Sequence, residues 1–570
     1  MENPDHYWTE AEKAYDARAG MLRQAFTNPG YHSRVPTGAW VHPTVPSLEY
    51  AVLLLRHAPA PGRERAETIL ERVIALQDAD PVSPTCGIWP YVLEEPVARM
   101  APPDGNWALF CGARVAEALA AGGESLSPAL GARMETALRH SGFFAYRSNV
   151  LAAYSNIAIM GGGVAAMAGE RLSLSPLLEY GRRRLESVVG SIERNGTLCE
   201  YNSIPYNLIA IHECERMLLL LRDEEARAHA ETIRVAAWRM LAEIFHPGLQ
   251  VFSGPQSRAY ADFPDRLTVE KLSRRLGFPL GCKTDTRHTL WTGPIDLTLV
   301  PLPCPPEIAE RFRELPGLPR QNRAVCHIRR SPEETTAGTT WFAPECTLGS
   351  VSRENFFYQR RPLLAYWRTP EDPAVVLKLE FLCNGRPFSS AYSLNTQERH
   401  CVLSAVALIN NLGYHTPHMD CPGDGVFRVR SLRLRYVLEG RGAQALPGKD
   451  RRMILRAGGY QAVIHPVAAR LGEAPGRWEI ATEPGRAMVD AVIHEGEEIA
   501  LDIHRVDGVE IAAGLALLPV GAEPPEAPPA ILSRDAGETV LEWETGGEPL
   551  RLRVPRRPVP YLWATGRGPR

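Results

Sequence analysis

From about residue 40 to residue 250 the chain repeats apolar residues every three or four positions, the spacing of helices that each bury one face. Leu48 to Arg56 follows Pro46 as one apolar helix. Arg63 to Gln77 turns Ile69, Leu70, Val73 and Ile74 inward. Trp107 to Ala121 comes next, then Ser127 to His140 with a stripe of Leu130, Met134 and Leu138. Asn156 to Ala168 contains Gly161, Gly162 and Gly163, small enough to let neighbouring backbones approach. Ser175 to Ile192 carries Leu178, Leu185, Val188 and Ile192. Asn207 to Leu221 follows, with Ser203 near the cap and Pro205 in the first turn on the plain reading of the preceding connector, and Glu224 to Phe245 closes the series. The connectors are polar and aromatic: Gly87-Ile88-Trp89-Pro90-Tyr91, Pro102 to Trp107, Tyr154-Ser155-Asn156, and Gly196 to Tyr206. Helix pairs with decorated connectors predict an α/α toroid, or incomplete barrel, with a cleft at one end. A plain solenoid would show a fixed repeat period, and none is found.

Beyond about residue 300 the period changes from helical to alternating. Ala374 to Phe381, Val426 to Val437 and Leu550 to Val554 are short alternating runs, the mark of antiparallel strands with one wet face. The expected architecture is a multidomain α and β chain. It comprises a toroid over 1–300, a proline-rich linker over 301–330, and an antiparallel β-sandwich over 331–570, with a loosely ordered end after Pro555.

At 570 residues the chain exceeds a single core and is read as about two to four domains. Apolar content of 45% and a net charge of −3 describe an ordinary soluble protein and give no footprint for nucleic acid. The first residues show neither a basic stretch nor an apolar core, so no secretory signal is expected, and no apolar run suits a membrane. Eleven scattered cysteines without a CxxC pair argue against a disulfide framework or a zinc site, and a reduced, cytoplasmic protein is expected. No ligand set demands a cofactor, although a divalent metal is compatible with the chain, as is a homo-oligomer.

The chemistry concentrates in Asn156, Asn202, Tyr206, Arg258 and Tyr260: amides, phenols and a guanidinium, with no GxSxG elbow and no HExxH motif. Such a set suits β-elimination on a uronic-acid chain. Removing the proton next to a carboxylate builds negative charge that amides and a guanidinium can meet. A tyrosine can be base and acid if a nearby cation lowers its pKa, and Arg258 lies two residues from Tyr260. Each residue also has a plain structural reading: Asn156 as a helix N-cap, Arg258 as a salt bridge, Tyr260 as packing, and His212 as a core or surface histidine.

Several stretches carry a resemblance: His42-Pro43-Thr44, Gly87 to Tyr91 with Glu94-Glu95, Asn156 to Met160, Glu200 to Tyr206, and Gly254 to Tyr260. In that order the chain resembles the α/α-toroid polysaccharide lyases. These are the heparinase II/III-like and chondroitin/alginate lyase superfamily, and among them the toroid-plus-sandwich proteins grouped around glucuronan and alginate lyases. A weaker likeness continues through Gln359 to Pro362 and Tyr366-Trp367. The resemblance implies that Asn156, with Asn202, neutralises the uronate. Tyr206 or Tyr260 would be base and acid, and Arg258 would support the carboxylate or the phenolate. It further implies sugar stacking on Trp89, Tyr91 and Trp107, and hydroxyl contacts from Glu94, Asn106 and Glu200, with Tyr201 nearby. Two positions depart from the family. Gln256 stands where a histidine is expected, and Ser203-Ile204-Pro205-Tyr206 stands where Ser-Pro-Thr-Tyr is expected. His288, His415 or His418 could replace that histidine, and an altered substrate or an inactive protein would follow if none does.

The implied partner is an anionic poly- or oligosaccharide, imported if the enzyme is cytoplasmic. A glycoside hydrolase on the same fold is the main competitor. It would need two carboxylates about 5–9.5 Å apart, drawn from Glu94, Glu95, Asp104, Glu200 and Asp262. A carbohydrate-binding protein without catalysis is the third reading.

Overall fold

In the computed structural model the described residues are 4–27, 32–58, 60–285, 301–327, 335–410, 425–535 and 537–560. The helical half comprises α1 (Pro4–Ala14), α2 (Thr44–His57), α3 (Ala60–Ile74), α4 (Asn106–Gly122), α5 (Pro128–Ser148), α6 (Ser155–Arg171), α7 (Ser175–Asn195), α8 (Ile204–Leu220), α9 (Glu224–Ile244) and α10 (Arg266–Leu276). Consecutive helices pair as hairpins, α2 with α3 through α8 with α9. The first member of each pair touches the first member of the next, α2 to α4 to α6 to α8 to α10. The second members, α3, α5, α7 and α9, make an outer row in the same order. This is an α/α toroid with parallel inner helices, whose N-termini share one rim.

Sequence decides which row a helix joins. In α6 every residue from Ser155 to Gly169 is buried, and in α2 every residue from Thr44 to Leu55. A helix apolar all round belongs inside. The outer helix α7 buries only Leu177, Gly181, Leu185, Val188, Ser191 and Asn195, one stripe at three- and four-residue steps. Gly181 is needed where α7 crosses α6: a Cβ there would lie 2.7 Å from the Ala166 backbone nitrogen.

Most expected helices lie within a few residues of their observed bounds. Asn156 is not a cap, because the helix already begins at Ser155 with Tyr154 in the capping position. Ser203 does cap α8, accepting from the Tyr206 amide. The expected linker is partly structured. Pro306–Ala309 and Glu310–Phe312 are helical turns, and Phe312 packs its ring against Trp238 and Phe245, extending the toroid's own core. The sandwich begins inside that span too, at Arg320.

Its main strands are β1 (Arg320–His327), β2 (Thr336–Ala343), β3 (Cys346–Val351), β4 (Arg353–Asn355), β5 (Leu363–Trp367), β6 (Val375–Cys383), β7 (Ala391–Glu398), β8 (Cys401–Asn410), β9 (Val426–Glu439), β10 (Gln444–Pro447), β11 (Met453–Ala457), β12 (Tyr460–Leu471), β13 (Arg477–Glu483), β14 (Arg486–Asp502), β15 (Val509–Pro519), β16 (Ala530–Arg534), β17 (Glu538–Trp543) and β18 (Leu550–Pro555). One antiparallel sheet runs β13-β14-β9-β6-β5-β3-β2-β1 and the other β4-β7-β8-β15-β12-β11-β10. Their facing sides share one core, and β16-β17-β18 covers the outer face of the second sheet. The first sheet turns its outer face to the toroid. Along β5, Leu363, Ala365 and Trp367 point between the sheets, while Leu364 and Tyr366 pack with Leu249 and Val251. Alternation of period two lets one strand serve two cores. Gly349 permits the closest approach, since a Cβ there would meet the Gly254 carbonyl oxygen at 1.9 Å. Among the described residues no helix is long and apolar enough to cross a membrane.

The toroid's interior holds charge. Glu49 of α2, Arg114 and Glu117 of α4, Glu213, Glu215 and Arg216 of α8, and Lys271 and Arg275 of α10 are all buried. Arg114 Nη2 reaches Glu49 at 3.0 Å and its Nη1 reaches Glu213 at 3.4 Å. Arg216 pairs with Glu117 at 3.1 Å and with Glu213. Arg275 grips Glu215 at 2.6 Å. His212 is the core histidine of the plain reading: burial, reinforced by the surrounding cations, holds it far below its ordinary pKa and so neutral. Formal charges balance, four carboxylates against four cations, so the cost of desolvation is offset by pairing. Glu215→Ala would leave Arg275 buried without its carboxylate. The expected result is a loss of about 3–5 kcal/mol, read from the denaturant midpoint.

Candidate active site

The rim formed by the inner-helix N-termini faces the sandwich, and the segment after α9 closes the gap. Phe245–His246 and Val251–Phe252 form a short hairpin, after which residues 253–262 run as an irregular, bent segment. This segment is laced to both sides. Gln256 exchanges backbone bonds with Arg361 at 3.1 and 2.9 Å, and the Ala259 amide donates to the Gln359 carbonyl at 2.7 Å. On the toroid side, the Ser257 amide and hydroxyl both donate to the Tyr201 carbonyl, at 3.1 and 2.7 Å. Ser203, while capping α8, donates its hydroxyl to the Arg258 carbonyl at 2.6 Å.

Arg258 therefore arrives at the rim with little freedom. Its Nε donates to Gln359 Oε1 at 2.5 Å, Nη1 to Glu200 Oε1 at 2.9 Å, and Nη2 to the Tyr206 hydroxyl at 2.8 Å. The guanidinium also lies 4.3 Å from the Tyr206 ring centre and 5.7 Å from that of Tyr154. A guanidinium has five N–H groups, so these three bonds leave two for a ligand. The Tyr206 and Tyr260 hydroxyls are 2.7 Å apart. Tyr206 is nearly covered and Tyr260 partly exposed, so Tyr260 is the phenol nearer to open space.

Electrostatics alters one expectation. Burial, the largest influence on Tyr206, outweighs Arg258 and pushes its phenol well above its ordinary pKa. Tyr206 is consequently a proton donor near neutrality rather than a ready base. Burial acts against charge on Arg258 too, but Tyr206 and Glu200 overcome it and the guanidinium stays cationic. Tyr358, next to Gln359 and bonded to its amide at 2.7 Å, is pushed up to about 12 by burial, with Tyr260 adding to the effect.

The two expected amides face protein groups. Asn156 gives both its backbone amide, at 2.8 Å, and its Nδ2, at 2.5 Å, to Glu200 Oε2. Its Oδ1 is enclosed without a hydrogen-bond partner among the described residues. Asn202, in the left-handed region at φ 54°, donates to the Pro255 carbonyl at 2.8 Å. Glu200 is thus an internal brace between α6 and Arg258. Tyr201 is buried and donates to Glu354 of the sandwich at 3.1 Å. Gln256 is buried beside the same seam.

Farther around the rim, Asn106 donates to the Tyr154 hydroxyl at 3.3 Å. Tyr91 bonds Asp104 at 2.6 Å and packs on Trp107, ring centres 4.2 Å apart. Glu94 Oε1 is 2.6 Å from His42 Nδ1, whose other ring nitrogen is 3.2 Å from Asp16. Trp89 is wholly buried, its indole donating to the Val73 carbonyl, and offers no face to a sugar. His288, His415 and His418 lie outside the described residues. The structure adds Tyr154, Tyr358 and Gln359 to the set. Tyr154 sits in a connector rich in polar and aromatic residues, and Gln359 in the stretch of weaker resemblance, but no spacing rule joins residue 258 to residue 359. Among the described residues no group of three or more His, Cys, Asp or Glu is arranged to hold a metal ion.

A family model described as a domain of unknown function, DUF8769, matches residues 9–268. No curated protein matches the sequence. Among solved structures, heparinase III is similar at 9% identity, covering 93% of this chain and 86% of its own, with a TM-score of 0.43. The chondroitin AC lyase of Streptomyces coelicolor A3, in complex with chondroitin sulphate, shows 11% identity, 95% and 84% coverage, and a TM-score of 0.44. The heparan sulfate lyase HepC from Pedobacter heparinus shows 8% identity, 90% and 82% coverage, and a TM-score of 0.36.

The seam that holds Arg258 in place has its own anchor. Asp262 is buried between Arg361 at 2.6 Å and Lys378 at 2.7 Å, both from the sandwich. Burial would raise its pKa, but the two cations overcome burial and hold the carboxyl far below its ordinary range. A depressed pKa gives stability that is full above the unfolded value near about 4 and fades as pH falls toward the folded one. Asp262→Asn should therefore destabilise the toroid–sandwich seam by about 3–5 kcal/mol at neutral pH. Scanning calorimetry should then resolve two transitions where the parent shows one, and a single unshifted transition would contradict this.

Proposed function

We propose that the protein is a polysaccharide lyase that cleaves uronic-acid-containing chains by β-elimination at the Arg258 cleft. The observation that carries this reading is the phenol pair braced by a guanidinium: Tyr260 to Tyr206 at 2.7 Å, and Tyr206 to Arg258 at 2.8 Å.

The chemistry is assigned as follows. The substrate carboxylate meets the two uncommitted N–H groups of Arg258, which spread the charge that develops when the neighbouring carbon loses its proton. Tyr260 in its ionised form takes that proton, with Tyr206 donating a hydrogen bond to its oxygen. The carbon–oxygen bond to the leaving sugar then breaks, a carbon–carbon double bond forms within the uronate, and Tyr260 returns the proton to the leaving oxygen. Charge and atoms balance, and the phenolate is regenerated. Imported acidic oligosaccharides inside the cell are the proposed substrate source.

The competing hydrolase reading needs two carboxylates free to act. Each candidate is already engaged: Glu200 by Asn156 and Arg258, Glu94 by His42, Glu95 by the Arg34 amide, Asp104 by Tyr91, and Asp262 by Arg361 and Lys378.

A panel of polyuronates followed by ultraviolet absorbance of the unsaturated uronate tests the proposal. A rising signal is expected. Tyr260→Phe should reduce kcat about 10²–10⁴-fold. Tyr206→Phe should lower kcat less than Tyr260→Phe does, since it removes the hydrogen bond to Tyr260 and not the proton acceptor itself. New reducing ends without absorbance would reject elimination.

A further inference from the structure

The most exposed tryptophan among the described residues is Trp40, 61% exposed. Leaving an indole in water forfeits the burial that normally places this side chain inside, so an exposed one marks a contact surface. Trp40 lies in the two-residue strand Trp40–Val41, paired with Gln24–Ala25, and its ring is held 5.0 Å from the guanidinium carbon of Arg23. A ligand that offers an aliphatic ring and a carboxylate would meet both partners at once: the ring's C–H face on the indole, the carboxylate on Arg23.

The position is linked to the cleft through bonded neighbours. Two residues after Trp40, His42 is bonded to Glu94, and the backbone of 42–44 is laced to 91–93. Tyr91 leads through Asp104 to Asn106, whose amide reaches Tyr154, and Tyr154 lies against Arg258. Along this arc the side chains are aromatic or hydrogen-bonding. It ends, as it begins, in an arginine beside an aromatic ring.

We infer that Trp40 and Arg23 form an outer subsite for an acidic sugar residue of the same chain whose scissile unit occupies the Arg258 cleft. This rests on the polyuronate reading and extends it: the substrate is a chain that spans the rim, not a disaccharide. The inference also separates binding from chemistry, because Trp40 touches no residue of the phenol pair.

Trp40→Ala and Arg23→Ala remove exposed side chains and should leave melting temperature unchanged. Calorimetric titration of the full-length protein with a long oligouronate and with its trimer, alongside steady-state kinetics, reads the effect. The expected result is that Trp40→Ala weakens long-chain binding and raises KM about tenfold, the scale of truncating one aromatic anchor. kcat and trimer binding should stay the same, and Arg23→Ala should act in the same direction. Product formation with no difference between parent and variants overturns the subsite and leaves the lyase reading standing. Trp40-dependent binding without any unsaturated product does the reverse. Neither binding nor product in the parent rejects both. If Trp40→Ala changes the protein's mass in solution while saccharide binding is unaltered, the residue is a self-association contact and the subsite is rejected.

Discussion

A guanidinium withdrawn from water must be supplied with acceptors, and Arg258 takes its three from separate parts of the chain. Glu200 comes from the connector before α8, Tyr206 from the first turn of α8, and Gln359 from the sandwich. None of these can shift alone. Displacing the sandwich would strip Nε of its acceptor, and displacing the connector would leave a buried charge unpaired, which costs more than the pair contributes when intact. The site is therefore a property of the joined domains. The Asp262 anchor and the close approach of Gly254 to Gly349 serve the same end at the next layer, by making the seam too tight to slide.

The toroid was legible because its signal is local. A helix such as α7 announces its buried stripe within its own residues, and α6 announces total burial by having no polar face. The sandwich strands were legible for the same reason, as in β9 or β18, where alternation is visible over a few residues. The linker was misjudged because proline content says nothing of what Phe312 finds to pack against 70 residues upstream. Composition speaks for the segment, whereas Trp238 and Phe245 decide its place.

The site was legible to a different depth. Residue types clustered in connectors identified Tyr206, Arg258 and Tyr260, and these do meet. What sequence could not reveal is direction. Asn156 looks like an amide waiting for a ligand, yet it turns inward to Glu200. Trp89 looks like a sugar platform, yet it belongs to the core. Burial is likewise invisible in the spacing of residues, and for Tyr206 it is a larger effect than the neighbouring cation. Gln359 fell in a stretch of weaker likeness, but its bond to Arg258 was out of reach, since a partner 101 residues away is chosen by tertiary packing.

Direction also explains how the rim gathers helix N-termini while its own carboxylates are held by bonds within the chain. The inner helices α2, α4, α6, α8 and α10 all begin at this end, and a helix N-terminus carries partial positive charge. At α8 and α10 that charge is met by capping side chains, Ser203 and Asp265; at α2, α4 and α6 the capping residue offers none. Glu200 answers at α6 by accepting the Asn156 amide, and in doing so it becomes a fixed counter-charge rather than a free acid. With Glu200 so committed, Arg258 is stabilised without being wholly neutralised by hydrogen bonds, because two of its N–H groups remain. The same carboxylate that a hydrolase would need free instead holds the Arg258 guanidinium in place.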